Sequence, residues 1–193
     1  MKTNKKGKRF IAIGLLLLIA ALCLVVYNLY DSMRAASAAN EAALALQQEM
    51  GNGQDDYKNN SDIEMPGMDF DNHNYVAIIE IPALNVVLPV IDQWSYPDLK
   101  VAPCRYSGSA YSNDLVIAAH NYRQHFGRIK ELDQGDEVYV VDMDGNVFAY
   151  QVALVETLQA TAVEEMKSSD WDLTMFTCTV GGQARVTVRC VKQ

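Results

Sequence analysis

The sequence predicts an all-β barrel or sandwich preceded by a single membrane-spanning helix, on three observations. Residues 10–30 form an uncharged, strongly apolar run. From Tyr75 onward the chain breaks into short β-rich segments separated by turn residues. The helix-forming stretches in that part extend for only a turn or two. At 193 residues there is room for one good-sized domain and an appendage, and no internal repeat is present.

The elements follow in chain order. Residues 1–9 are a basic tail, with Lys2, Lys5, Lys6, Lys8 and Arg9 and no acid. Residues 10–30, FIAIGLLLLIAALCLVVYNLY, have the length a bilayer-crossing helix requires, and Tyr27 and Tyr30 suit the headgroup region. The competing interpretation is a cleaved signal peptide, with Ala35-Ala36-Ser37-Ala38 as the cleavage region; the length of the run favours a retained anchor. The positive-inside rule then keeps the N-terminus cytoplasmic and exports the rest. Five of the 16 basic residues lie before Asp31, leaving 11 against 24 acids, or −13, for everything beyond it. Such a balance argues against nucleic acid as a partner, because a phosphate backbone calls for a basic face.

Residues 31–50 are rich in alanine and other helix formers and predict a helical stalk. Residues 51–73 turn to Gly, Asn and Asp with a Met-Pro-Gly, and predict a flexible acidic linker. Residues 74–193 form the main domain. Strands are expected at 75–81, 86–91, 114–120, 137–142, 146–157, 172–179 and 185–191. Asp144-Gly145 marks a hairpin turn, and single helical turns are expected near 126–132 and 161–167.

The four cysteines are Cys23 in the apolar run, then Cys104, Cys178 and Cys190. Three exported cysteines leave an odd thiol. A Cys104–Cys190 disulfide would leave Cys178 free, while two buried, space-filling thiols are an equal alternative. Of the three histidines, His73 falls in the linker, His125 in a polar loop expected to face water, and His120 at the end of an apolar strand. A strand that opens into a loop is a good place for a positioned acid or base.

The last hairpin carries the most information. With a loop at residues 180–184, antiparallel register sets Cys178 opposite Arg185, Phe176 opposite Thr187 and Thr174 opposite Arg189. One face then presents a thiol beside a guanidinium. The other presents Leu173, Met175, Val186, Val188 and Cys190, which suits a core. A slip of one residue would separate the pair. Thiolates are the nucleophilic form of cysteine, and the planar donor fork of arginine suits an oxygen that becomes negative. Taken singly, each of these residues has a plainer role: packing for the cysteine, structure for the histidine and a sheet-edge charge for the arginine.

In combination they resemble a known family. Leu173-Thr174-Met175-Phe176-Thr177-Cys178-Thr179 followed by Arg185-Val186-Thr187-Val188-Arg189 is similar to the signature of sortases. Val116-Ile117-Ala118-Ala119-His120-Asn121 resembles the family's strand-ending histidine motif, with Ala119 where glycine is commoner. The segment from Val76 to Val86 is similar to the family's first barrel strands. Together these motifs span residues 75–191 in the family's order.

The resemblance implies a closed eight-stranded sortase-like β-barrel with short helices, preceded by the N-terminal transmembrane helix. It also implies a membrane-anchored cysteine transpeptidase of Gram-positive bacteria. Cys178 would attack a peptide bond in the C-terminal sorting signal of a surface protein, giving a thioacyl-enzyme. Arg185 would steady the oxyanion and His120 would protonate the leaving amine. An amine of a cell-wall precursor or a pilin lysine would then resolve the intermediate. Thr177 is a candidate substrate contact, with an ordinary β-branched strand residue as its plainer role. Arg189 is the rival to Arg185.

The pilus-polymerising type is disfavoured by the lack of an Asp-Pro-aromatic lid, and the type with a long helix before the cysteine strand by the short span available at 156–170. No cofactor is expected. Some relatives bind calcium, and Glu131, Asp133, Asp136, Glu164 and Glu165 would be the oxygen ligands, but they are assigned instead to a solvated acidic surface. Two alternatives stand beside the transpeptidase: a hydrolytic cysteine peptidase with the same centre, and a non-enzymatic membrane-tethered β-domain that binds surface components.

Overall fold

A computed structural model describes residues 5–51, 64–167 and 170–193. The chain divides into two units, one ending at Arg34 and the other covering Ala35–Gln193. Helix α1, Lys5–Glu49, contributes to both. In the first unit its apolar side chains are exposed throughout, Leu16 and Leu18 at 68% and 66%, and its most apolar window has a mean hydropathy of 3.0. A helix so long and so apolar fits a single-pass membrane anchor.

The second unit is a closed barrel. Nine strands are present among the described residues: β1 Met68–Phe70, β2 His73–Ile81, β3 Val86–Ile91, β4 Cys104–Ser107, β5 Leu115–Ala119, β6 Glu137–Asp142, β7 Val147–Gln159, β8 Leu173–Cys178 and β9 Ala184–Lys192. Hydrogen bonding runs β2-β3-β4-β5-β8-β9-β7-β6, and β6 pairs again with β2, closing eight strands into a ring. Closure leaves no free edge among them. β1 is an extra strand on β2. Two pairings are parallel, β3 with β4 and β5 with β8.

Alternation along the strands separates two cores. Ile79, Ile117, Val140, Phe148, Met175, Val188 and Cys190 belong to one cluster, and their neighbours Ile78, Val116, Ala118 and Phe176 to another. Each fully buried Ile or Leu side chain contributes about 1.5–3 kcal/mol relative to exposure. A bulge between Tyr75 and Ala77 breaks the alternation in β2 and puts Val76 into the same cluster as Ala77.

Two expected boundaries are corrected. The stalk at 31–50 is helical to Glu49, and its part within the second unit packs one face. Ala35, Ala39, Ala42, Ala43 and Leu46 are at most 5% exposed, and their spacing makes one helical face. Ala42 and Leu46 join Tyr75, Ile78 and Met143 in a core. The linker at 51–73 is also ordered in its last part. Met65 is buried and β1 pairs with β2; residues 52–63 of that linker lie outside the described residues.

Candidate active site

The C-terminal hairpin has the register the sequence predicts: Cys178 opposite Arg185, Phe176 opposite Thr187 and Thr174 opposite Arg189. Its loop is closed by the Thr179 N–H donating to the Ala184 carbonyl at 3.0 Å and the Gly182 N–H donating to the Thr179 carbonyl at 2.8 Å. Gly181 and Gly182 have φ of 86° and 75°, which side-chain-bearing residues adopt only with strain. The Arg185 guanidinium is drawn back over this loop, donating through Nη1 to the Gly182 carbonyl at 3.0 Å and the Ala184 carbonyl at 3.1 Å.

His120 reaches the same place by another route. β5 and β8 run parallel, with Ala119 level with Thr177. His120 and Cys178, each one residue further on, therefore leave the ends of neighbouring strands together. The Thr177 hydroxyl donates to the Ala119 carbonyl at 2.8 Å and ties the two ends. Thr177 itself is only 3% exposed and turns this hydroxyl to the neighbouring strand.

Cys178, His120 and Arg185 meet at a groove of about 230 Å³. Its floor and walls are apolar, including Leu99, Ala118, Val163, Met166 and Phe176, and Trp94, Tyr96 and Tyr106 form an aromatic side. Trp94 packs on Tyr106 at 5.4 Å and Tyr106 on Phe176 at 5.2 Å between ring centres. A larger depression of about 450 Å³, lined by Asp92, Trp94 and Arg105, shares this aromatic side but holds none of Cys178, His120 and Arg185. Chemistry, not volume, selects the smaller one. Sequence reasoning missed this aromatic wall; its signal is the Trp94-Ser95-Tyr96 pattern, two large aromatics in a turn-rich segment.

The other thiols are set apart by burial. Cys104 and Cys190 are fully buried free thiols, and burial pushes both up to about 12. They lie in different core clusters, and no disulfide joins them. Cys178 is half-buried and lines the groove.

Arg189 is fully committed elsewhere. It is 2% exposed and pairs through Nε with Glu156 at 2.8 Å. It also donates to the Thr174 hydroxyl at 3.0 Å and to the carbonyls of Glu165 at 2.6 Å and Met166 at 3.3 Å. The last two bonds clamp the short helix α2, Val163–Met166, whose side chains form part of the groove wall.

The remaining histidines depart from expectation. His73 is ordered at the start of β2, its Nε2 3.3 Å from Asp98 and its Nδ1 2.8 Å from the Asp71 carbonyl. His125 is completely buried rather than solvated. The acidic residues considered for calcium include Glu131, paired with Arg128 at 3.0 Å, and Asp136, which accepts the Asp133 N–H at 2.9 Å. Among the described residues no three His, Cys, Asp or Glu side chains gather as a metal site.

The sortase domain family matches residues 79–193. The chain belongs to the sortase family. Its general activity class is accordingly that of a sortase-type transpeptidase. Three solved structures illustrate the likeness of fold. A sortase D5 transpeptidase of Clostridium perfringens is 18% identical with a TM-score of 0.62, over 81% of this chain and 99% of that one. Sortase A of Corynebacterium diphtheriae is 16% identical with a TM-score of 0.56, over 84% of each chain. Sortase C1 of Streptococcus suis is 25% identical with a TM-score of 0.55, over 63% of this chain and 74% of that one. Comparison with curated protein sequences gave no match. Among the described residues between β7 and β8 the helix is short, α2 at Val163–Met166, as expected from the span available at 156–170.

Proposed function

We propose that this sortase cleaves the C-terminal sorting signal of surface proteins through a Cys178 thioacyl-enzyme and passes the acyl group to an amine. The observation that carries the proposal is the convergence of Cys178, His120 and Arg185 at one groove, while the other two thiols of the barrel are buried. Cys178 Sγ attacks the scissile carbonyl. The Arg185 fork, held by two loop carbonyls, faces the oxygen that becomes negative. His120 gives its proton to the departing amine, then takes one from the incoming amine, so it returns to its starting state. The apolar groove receives the side chains that precede the scissile bond.

The acceptor is an amine of a cell-wall precursor or a pilin lysine, in the setting of a Gram-positive cell surface. The basic residues before the apolar helix keep the N-terminus cytoplasmic and the barrel outside. Full-length protein in detergent, incubated with a library of sorting peptides with and without amine acceptors, tests the proposal. The expected result is a ligated product that depends on the amine and vanishes with Cys178→Ala. Hydrolysis alone at every amine concentration points to the peptidase, and peptide binding without turnover, unchanged in Cys178→Ala, to the non-enzymatic binding domain.

A further inference from the structure

The turn that leaves β5 carries a second histidine that this chemistry does not use. His125 is 0% exposed, and neither of its ring nitrogens has a hydrogen-bond partner among the described residues. Phenylalanine would fill the same space without two unmet polar atoms, so the imidazole is retained at a cost. Its ring lies edge-on to Tyr122 at 5.4 Å, and Tyr122 lies against His120 at 5.0 Å. The three rings form a chain of edge and tilted contacts from the buried interior to the groove.

The backbone knits the same turn. The Phe126 N–H donates to the His120 carbonyl at 3.3 Å, and the N–H groups of His125 and Gly127 donate to the Tyr122 carbonyl at 3.0 and 2.9 Å. A Cβ on Gly127 would come within 2.5 Å of the Asn121 carbonyl oxygen, so the turn closes only around glycine. From α1, Ala39 joins Phe126 in one apolar cluster, and Ala35 is likewise buried.

We infer that His125 is a positioning residue for His120, its buried ring backing Tyr122 and so fixing the His120 imidazole at the mouth of the groove beside Cys178. The inference rests on His120 being the acid and base proposed above. A fixed orientation matters because proton transfer needs the imidazole within hydrogen-bond reach of the amine. His125 stays buried only as the neutral ring. Burial first, and then His120, push it down to about 4, and the Ala35 backbone opposes them. The titratable neighbours are His120 and Tyr122 on its own turn. Arg123 and Arg128 line an adjoining groove with Ala36 and Asn40, and α1 contributes the uncharged Ala35 and Ala39. Acid that charges His125 would therefore unseat the three rings.

The test uses the full chain in detergent, with His125→Ala and His125→Phe compared in amine-dependent ligation and in NMR of the histidine rings. His125→Ala is expected to lower kcat by about tenfold with KM within twofold, the signature of a lost transition-state alignment. His125→Phe should restore at least about a third of kcat at neutral pH and keep activity further into acid than the parent. An unchanged kcat in His125→Ala, or an acid limit unmoved by His125→Phe, would overturn the inference. If the parent turns over no sorting peptide, the proposed function falls. The His120 ring signal, sharp in His125→Phe and broadened in His125→Ala, then still decides the positioning role, and equal signals in the two variants refute it.

Discussion

Two arginines stand four residues apart on one face of β9 and lead opposite lives. Arg189 is sealed in, with a carboxylate, a hydroxyl and two carbonyls around its guanidinium. Arg185, at the strand's open end, is held only by two carbonyls of its own hairpin loop and lines the groove with Cys178. The contrast separates an arginine that builds a wall from one left available to a substrate. Residue type and face are identical; the number of donors already spent is not. A buried guanidinium must satisfy its donors internally, whereas an exposed one keeps them for a ligand.

Breaking the open end is expected to give the largest effects. Cys178→Ala should abolish thioacyl formation, seen as loss of the acyl adduct by mass spectrometry. Arg185→Lys keeps charge but loses the fork, and should lower kcat/KM by about 10²–10³ while leaving the melting temperature nearly unchanged. Arg189→Ala should invert that pattern. Losing the buried guanidinium leaves the Thr174 hydroxyl and two carbonyls unmet beside a part-exposed Glu156 and costs about 2 kcal/mol, read as a lower denaturant midpoint, and activity should fall only as far as α2 loosens. Retained turnover in Arg185→Lys with turnover lost in Arg189→Ala at full stability would reverse the assignment.

Smaller effects sharpen the same comparison. His125 is a buried group whose needs are unmet, the opposite of Arg189. Folding depresses its pKa from 6.5 to about 4. On acidification the unfolded chain takes up the proton first. Its contribution is therefore full above about pH 6.5 and is lost as pH falls toward 4, on the order of 3 kcal/mol in all. Denaturant unfolding across that window should show the slope, and His125→Phe should flatten it. Gly182→Ala should cost about 1 kcal/mol for the positive φ, with a modest loss of turnover because Arg185 rests on that loop.

Seven of the eight barrel strands were legible from alternation and turn residues, and so was the hairpin register, which two apolar faces and a Gly-Gly loop define. β4 was not. It has four residues, follows Pro103, and meets β3 at the single pair Ile91–Cys104, so it has no pattern of its own. β1 is three residues long within a stretch that reads as linker. His125 looked solvated because its sequence neighbours are polar; its burial comes from the folded turn and from tertiary packing beyond it. Arg185 was preferred to Arg189 because the family's arginine opens the strand; what occupies Arg189 was hidden while Glu156, Glu165 and Met166 were remote in the chain. Thr177, read either as a substrate contact or as an ordinary strand residue, turns its hydroxyl to the Ala119 carbonyl and links β8 to β5.

That link joins residues 58 apart in sequence, across a parallel pairing that no tight turn can make. The imidazole and the thiol acquire a common address only when β8 has docked beside β5, one of the costlier loop closures in the topology. A chain caught before that event carries every reactive group and yet has no enzyme. Ligation activity should therefore appear no earlier than the docking of β8 beside β5 during refolding, making catalysis itself a clock for that step of assembly.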